Sequence, residues 1–332
     1  MNAETILAIP VTAPERLFPR DAHERKTKYH ELVKQWHPDV GGSAEVFARI
    51  TALHQAAEEG RWGATKILNI VDKTGKEYAF RYRAHHVFEL GDVYIGSLTV
   101  GWFIKREHEA LVLNGLRAIG SIRFPDNRMK EQHQRFLPVV ARTIETADGY
   151  LVLMNKTEDV VSLADLVTFL GRMDPKHVAW VISSLLNILC FYEIIGLTHN
   201  GLTAGTVFVS PEHHAAFPLG GWWYAIKAKG VLKFLPPAVH AVAPTDAVAS
   251  KVADGRIDLA SVRAIGRAAL GDPTGGRLQS ATDVPKPLAN WLRLPPPRRA
   301  IDDYDAWQKV LKDSFGPRRF LELKIDTAAI YN

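Results

Sequence analysis

The chain has 332 residues, 47% of them hydrophobic and 23% charged, which places it among ordinary globular proteins with room for two or three cores. Its single cysteine excludes an intramolecular disulfide, and a net charge of +5 with a pI of about 9.2 does not by itself argue for nucleic acid. The apolar runs, such as residues 178–189, are broken by polar residues and are expected to be too short to cross a bilayer.

The opening MNAETILAIPVTAPERLF has no positive region ahead of its short apolar run, so no signal peptide is expected and the cytoplasm is the expected compartment. Glu4 to Val11 is a short apolar lead, and Pro14 to Phe18 is expected to form one helical turn that Pro19 stops. Residues 21–36 predict a helix, because Tyr29, Leu32, Val33 and Trp36 fall on one face. Lys26, His30 and Lys34 run as a basic stripe away from that face. His37-Pro38-Asp39 follows. Proline fixes its own φ and disfavours helical backbone at His37, so the helix ends there. Gly41-Gly42 allows a reversal, Ser43 is a good N-cap with Glu45 in the first turn, and Val46, Phe47, Ile50, Leu53 and Ala57 stripe a second helix. The two stripes facing each other make an antiparallel pair with His37, Pro38 and Asp39 at its tip.

A basic helix, a His-Pro-Asp tip, a glycine turn and an amphipathic helix at these lengths resemble a J-domain, the module by which DnaJ-like co-chaperones engage DnaK-type chaperones. The resemblance covers residues 1–63. It implies that His37, Pro38 and Asp39 are needed to stimulate the partner's ATPase, and that Lys26, His30 and Lys34 meet an acidic patch on it. The departure is at the front, where the usual long first helix is reduced to the turn near Pro14–Phe18.

From residue 64 the periodicity becomes alternating. Lys66–Val71 and Glu77–Tyr82 are predicted strands joined by a hairpin at Asp72-Lys73-Thr74-Gly75-Lys76. Val87–Leu90 and Val93–Val100 are further strands separated by Gly91-Asp92. A helix is expected over Trp102–Ile119 with Ala110, Leu113 and Leu116 inward. A polar loop over Pro125–Arg135 and strands Leu137–Ile144 and Tyr150–Asn155 complete this part. Strands, one helix and two strands are the order of a protein-kinase N-lobe, which residues 64–157 resemble. Glu109 then stands where a kinase carries the glutamate that pairs with a strand lysine. The strand VYIGSLTV has no lysine and the first hairpin no G-x-G-x-x-G, so Glu109 is expected to be a solvated helix residue.

Residues 158–332 are predicted to be mainly helical, with helices over Ser162–Leu170 and Pro175–Gly196. Leu197 to Val209 resembles a kinase catalytic loop. His199 and Leu202 are in register, but Gly201 holds the aspartate position and Thr206 the metal-binding asparagine position. Gly221 lies in the stretch that replaces D-F-G, without an aspartate. Asp258 resembles the helix aspartate that supports the loop backbone, and Arg298-Arg299 with Asp303–Leu311 resembles the late arginine-plus-helix feature. Arg298-Arg299 beside Arg318-Arg319 is either an anion-binding patch or, by preference, a solvated surface. Residues 315–332 are an ordered terminal strand or a loose end. Cys190, in LLNILCFYEII, is expected to be a buried inert thiol, and the pairs His85-His86 and His213-His214 to be turn or surface histidines rather than metal ligands.

These readings define an α+β multidomain fold: a small helical-hairpin J-like module, then a bilobal kinase-like body with an antiparallel-sheet N-lobe and a mostly helical C-lobe. The expected function is a non-enzymatic co-chaperone or adaptor whose body holds a client or partner protein beside a DnaK-type ATPase, with no cofactor, no metal and no membrane. The rival expectation is a divergent kinase-like enzyme or a nucleotide-binding switch.

Overall fold

The computed structural model describes residues 2–9, 11, 13–59, 66–317, 321–325, 327 and 329–331. Arg318-Arg319 therefore lies outside the described residues, as does the boundary expected at residues 60–63.

Three helices come first: α1 (Ala3–Leu7), α2 (Ala22–Trp36) and α3 (Ala44–Glu58), with a 3-10 turn at Pro14–Arg16. Asp21 caps α2 by accepting from the His23 and Glu24 amides, and Ser43 caps α3 by accepting from Val46. The lead that the sequence left without structure is partly helical, with Asn2 capping α1. Ile6, Ile9, Leu17 and Phe18 then pack with Leu32 of α2 and with Val46, Ile50, Leu53 and Ala57 of α3 in a core of their own. Tyr29 and Trp36 close that core from α2, and the Tyr29 ring stacks on His54 at 3.9 Å.

The strands follow as β1 (Lys66–Val71), β2 (Glu77–Tyr82), β3 (Ala84–Phe88), β4 (Gly91–Ile95) and β5 (Thr99–Lys105), then helices α4 (Glu109–Gly120) and α5 (Asn127–His133), then β6 (Val140–Glu145) and β7 (Gly149–Asn155). β3 to β7 form one antiparallel sheet in the order β3-β4-β5-β7-β6, while β1 and β2 pair only with each other. The β1–β2 hairpin lies over one face of that sheet, where Ile70 and Phe80 pack on Ile144 and Leu151. Three expectations are corrected here. The turn falls at Glu89-Leu90 rather than Gly91-Asp92. Trp102 to Lys105 is strand, not helix, because Val100, Trp102 and Ile104 alternate inward. On α4 the buried residues are Val112, Gly115 and Ala118, while Leu113 is exposed. The polar loop also contains a helix, α5, capped by Asp126.

The remainder is β8 (Val161–Ser162), α6 (Leu163–Leu170), α7 (Pro175–Ile194), β9 (Leu197–Thr198), β10 (Val207–Ser210), β11 (Ala215–Pro218), β12 (Ile226–Lys227), α8 (Pro237–His240), α9 (Thr245–Ala249), α10 (Arg256–Ala269), α11 (Lys286–Trp291) and α12 (Ala300–Phe315). α7 is the central helix and packs against α10, α12 and β11. At 20 residues it is long and apolar enough by length and composition to cross a membrane, against the expectation of shorter runs. Val178, Val181, Ile182, Leu185, Leu186 and Leu189 on it are nonetheless buried inside this protein. Cys190 on α7 is half-buried, and burial pushes its thiol up to about 12. The C-terminal tail is neither strand nor loose: its described part is irregular apart from a 3-10 turn at Ala329–Tyr331, and the Ser162 amide donates to the Tyr331 hydroxyl at 2.9 Å.

Under the α10–α12 contact, Arg263 donates two bonds of 2.7 Å to Asp303, its guanidinium lies 4.1 Å over the Trp291 ring, and Trp291 Nε1 donates to the same carboxylate. Both charges are almost wholly buried. Replacing Asp303 by Ala leaves Arg263 buried without its counter-charge, and the expected loss is about 3–5 kcal/mol of unfolding free energy. Urea denaturation of the full chain measures it, and a loss below ~1 kcal/mol refutes the assignment.

Candidate functional site

The tip between α2 and α3 is built by local rules. His37 ends α2 in extended backbone, Pro38–Val40 makes a 3-10 turn and Gly41 takes φ 86 to turn the chain into Ser43. The His37 ring accepts the Asp39 amide at 3.2 Å through Nδ1 and rests edge-on against Phe47 at 4.8 Å. The imidazole is thus held through Nδ1 and against Phe47. The Asp39 carboxylate is 87% exposed and lies 3.5 Å from the ring. Val40 beside it is exposed as well. Lys26, His30 and Lys34 are all exposed on α2, away from the Leu32 face. The six residues that the sequence grouped together therefore share one end and one flank of the helix pair.

The second candidate region is the loop after β9. His199 and Asn200 are fully buried, and their amides both donate to Asp258 of α10 at 2.7 Å. This is the backbone support expected of Asp258. Asn200 adopts φ 57, and its side-chain amide donates to Thr198 Oγ1 and to the Tyr224 carbonyl. The Thr206 hydroxyl donates to the Gly201 carbonyl at 2.7 Å and accepts the Thr203 amide, so it is spent on holding the loop.

Gly201 and Gly221 press backbone on backbone. A Cβ on Gly201 would fall 2.4 Å from the Gly221 oxygen, and one on Gly221 would fall 2.3 Å from the Gly201 oxygen. Neighbouring Gly220 carries the Trp102 ring, whose carbons lie 2.3 Å from where its Cβ would stand. An aspartate fits none of these positions. Trp102, Trp222 and Trp223 are fully buried between the sheet and the helices, and Trp102 meets Phe88 at 5.4 Å and Trp223 at 6.3 Å. Asn114 of α4 donates to the carbonyls of Trp223 and Ala225, and the Tyr224 hydroxyl donates to Glu89 at 2.7 Å.

Glu109 is not the solvated residue expected. It accepts the Tyr150 hydroxyl, whose pKa this bond raises to about 12, and Arg106 donates to the same hydroxyl from the other side at 3.0 Å. The strand before α4 ends in a lysine after all, Lys105, but this side chain is exposed, and Trp102 is the bulky inward residue. Sequence reading missed Trp102, Asn114 and Tyr224 as the residues that join the sheet to the loop. The alternation in TVGWFIK was the signal for the first; the other two have none.

The histidine pairs divide. His85 and His86 lie on strand β3, bonded to Asp92 at 2.7 Å and Asp165 at 2.9 Å, while His214 stacks on Trp180 in a turn. Among the described residues, Asp159, Glu212 and His213 bring possible metal-ligand atoms within 4.8 Å of one another. Both Asp159 oxygens already accept hydroxyls, from Thr157 and from Ser210.

Neither a scan against protein-family models nor a search of curated proteins finds a match to this chain.

Two outcomes follow from the loop. Gly201→Asp puts a carboxylate into backbone contact and is expected to cost more than about 3 kcal/mol without creating phosphate transfer from Mg-ATP. Denaturation together with a transfer assay reads both, and a stable, active variant contradicts the close contact. The second outcome concerns His199. Burial lowers its pKa to about 3, with the Gly220 backbone opposing, while the unfolded imidazole titrates near 6.5. The unfolded state therefore binds the extra proton first, and stability that is complete above the unfolded value drains as pH falls toward the folded one. Melting temperature measured against pH is expected to fall more steeply in acid for the parent than for His199→Gln, which retains Asp258. Parallel curves exclude the effect.

Proposed function

We propose that the chain is a J-domain-like co-chaperone or adaptor. His37, Pro38 and Asp39 stimulate the ATPase of a DnaK-type chaperone, and the larger body binds a client or partner protein and carries it to that ATPase. The observation that carries this reading is the His37-Pro38-Asp39 tip on an antiparallel helix pair, half-buried at His37 and exposed at Pro38 and Asp39, flanked by the exposed Lys26, His30 and Lys34. Phe47 and the Asp39 amide preset the histidine, which lowers the cost of fixing it on binding. The short α1 and the turn at Pro14–Arg16 supply the apolar contacts that the abbreviated front of the module otherwise lacks. Tethering then works by proximity, since a client held by the same chain faces the chaperone at a raised effective concentration. This reading requires a compartment that holds a DnaK-type chaperone, and the cytoplasm is the one proposed.

For the body we infer a bilobal, kinase-like fold without catalysis. In its favour are the antiparallel sheet order β3-β4-β5-β7-β6, the helix α4 that follows β5, and Asp258 gripping the His199-Asn200 amides. Phosphoryl transfer needs carboxylates that position Mg²⁺ and the nucleophile. Here Gly201, Gly221 and Thr206 occupy those positions in a space that backbone and tryptophan rings fill.

His37→Gln is expected to remove stimulation of a purified DnaK-type ATPase while leaving the melting temperature of the protein unchanged. A variant that stimulates as well as the parent overturns the proposal. Lys26→Glu with Lys34→Glu is expected to weaken stimulation about tenfold and to flatten its salt dependence. An unaltered salt response removes the basic flank from the interface.

A further inference from the structure

Two short segments, residues 229–232 after β12 and 251–253 after α9, lie side by side as an antiparallel pair. The Lys229, Leu232 and Ala253 amides donate to the Ala253, Lys251 and Gly230 carbonyls, and Val231 faces Val252 across the bridge. Lys229 and Lys251 hold φ 65 and 52 in the turns that lead into the two segments. The underside of the pair is fixed. Leu232 packs there with Val239, Ala247 and Ile257 in a small core, closed by Ile226 and Leu235. The upper side is apolar as well, yet it is open: Val231 is 66% exposed, Val252 41% and Phe234, just beyond the pair, 63%.

Lysines flank this patch. Lys229, Lys233 and Lys251 are exposed, and none of them makes an ion pair among the described residues. The carboxylates closest in the chain are Asp246 and Asp254, and Arg256 binds both, at 2.8 and 2.6 Å. Glu193, across the neighbouring cavity, lies 3.6 Å from Arg299 and accepts the Ala300 amide. The patch therefore sets three positive charges around three apolar side chains, with the nearby acids already engaged.

That composition narrows the partner. Protein interfaces are enriched in arginine and depleted of lysine, the reverse of what stands here. Side chains exposed by about two-thirds, such as Val231 and Phe234, stand out from the surface and do not wall a groove for a peptide. Single-stranded nucleic acid suits the lysines and can stack a base on Phe234, but it sets two valines against phosphate and sugar. An anionic bilayer suits every group. Lysine ammoniums meet lipid phosphates and carboxylates while their stems follow the apolar surface, and valine and phenylalanine side chains enter the boundary between headgroups and acyl chains.

We propose that this surface docks on an anionic phospholipid bilayer, with Val231, Phe234 and Val252 entering the interface and Lys229, Lys233 and Lys251 pairing with headgroups. Three lysines and three apolar side chains give reversible, salt-sensitive association and not a stable anchor. The contact is peripheral and needs no spanning helix. It departs from the expectation of no membrane partner, which rested on the want of long apolar runs. The positive net charge of the chain favours the same surface. The proposal stands apart from the reading of the His37 tip; taken together, the two bring a DnaK-type ATPase to a client at the membrane.

The test is co-sedimentation of the full chain with vesicles of phosphatidylcholine containing about 30% phosphatidylserine, beside vesicles of phosphatidylcholine alone. The expected result is partitioning onto the phosphatidylserine vesicles at least about tenfold stronger than onto the neutral ones, and weakening as salt rises. Lys229→Glu with Lys233→Glu is expected to lose more than about tenfold in partitioning. Phe234→Ala, which leaves the charge alone, is expected to lose about fivefold. All three side chains are exposed, so both variants are expected to keep the melting temperature of the parent. Equal partitioning onto the two kinds of vesicle, no partitioning onto either, or indifference to either substitution contradicts the proposal. Tighter binding of a single-stranded oligonucleotide or of a glutamate-rich peptide than of the phosphatidylserine vesicles contradicts it too. His37→Gln is expected to bind vesicles as the parent does, so ATPase stimulation and vesicle binding report on separate parts of the molecule.

Discussion

The contact on which the rest of the body depends is Gly201 lying against Gly221 with no room for a side chain on either. It brings the loop after β9 onto the turn that carries Trp222 and Trp223, and those rings then reach Trp102 of the sheet. Asp258 fixes one side of this contact by holding two consecutive amides, and Asn114 and Tyr224 fix the other by joining the turn to α4 and to the β3–β4 turn. The buried cluster therefore runs from Leu90 in the β3–β4 turn to Trp307 in α12. A cleft meant to open and close over a ligand would need mobile, hydrated walls there. Interlocked tryptophans and bonded backbone give rigidity instead, which suits a body that presents a fixed outer surface.

The helical module follows a different economy. Its core contains only residues from the first 57 positions, and each helix carries a side-chain cap. Because this apolar core is separate from the tip, substitution of the exposed Asp39 is expected to have little effect on folding.

Much of this was legible in the sequence. The i, i+3, i+4, i+7 stripe of α2, the proline stop and the Ser43 cap gave both helices and the tip, since each rests on a short-range rule. β1 and β2 were read to the residue from alternation and a glycine turn. Reading failed where tertiary contact overrides local preference. Trp102 to Lys105 suits either helix or strand, and only its place between β4 and β7 decides. α1 is too short to announce itself, and it is held by Ile6 and Ile9 burying against α3. The resemblance sets Gly201 and Gly221 against kinase aspartate positions; that the two glycines touch each other is a long-range fact with no local trace.

Among the described residues, a hydrogen bond joins the helical module to the tail. The Arg20 guanidinium, just ahead of α2, donates to the Thr327 hydroxyl at 3.1 Å. Synthesis runs from the N-terminus, and the helical module has all the residues of its own core long before position 327 is made. The module is thus able to fold early on the ribosome, while this tie forms only after nearly all of the body has been translated. Nascent and finished chains consequently carry the same helical module in different settings: free of the tail in the first, bonded to it ahead of α2 in the second.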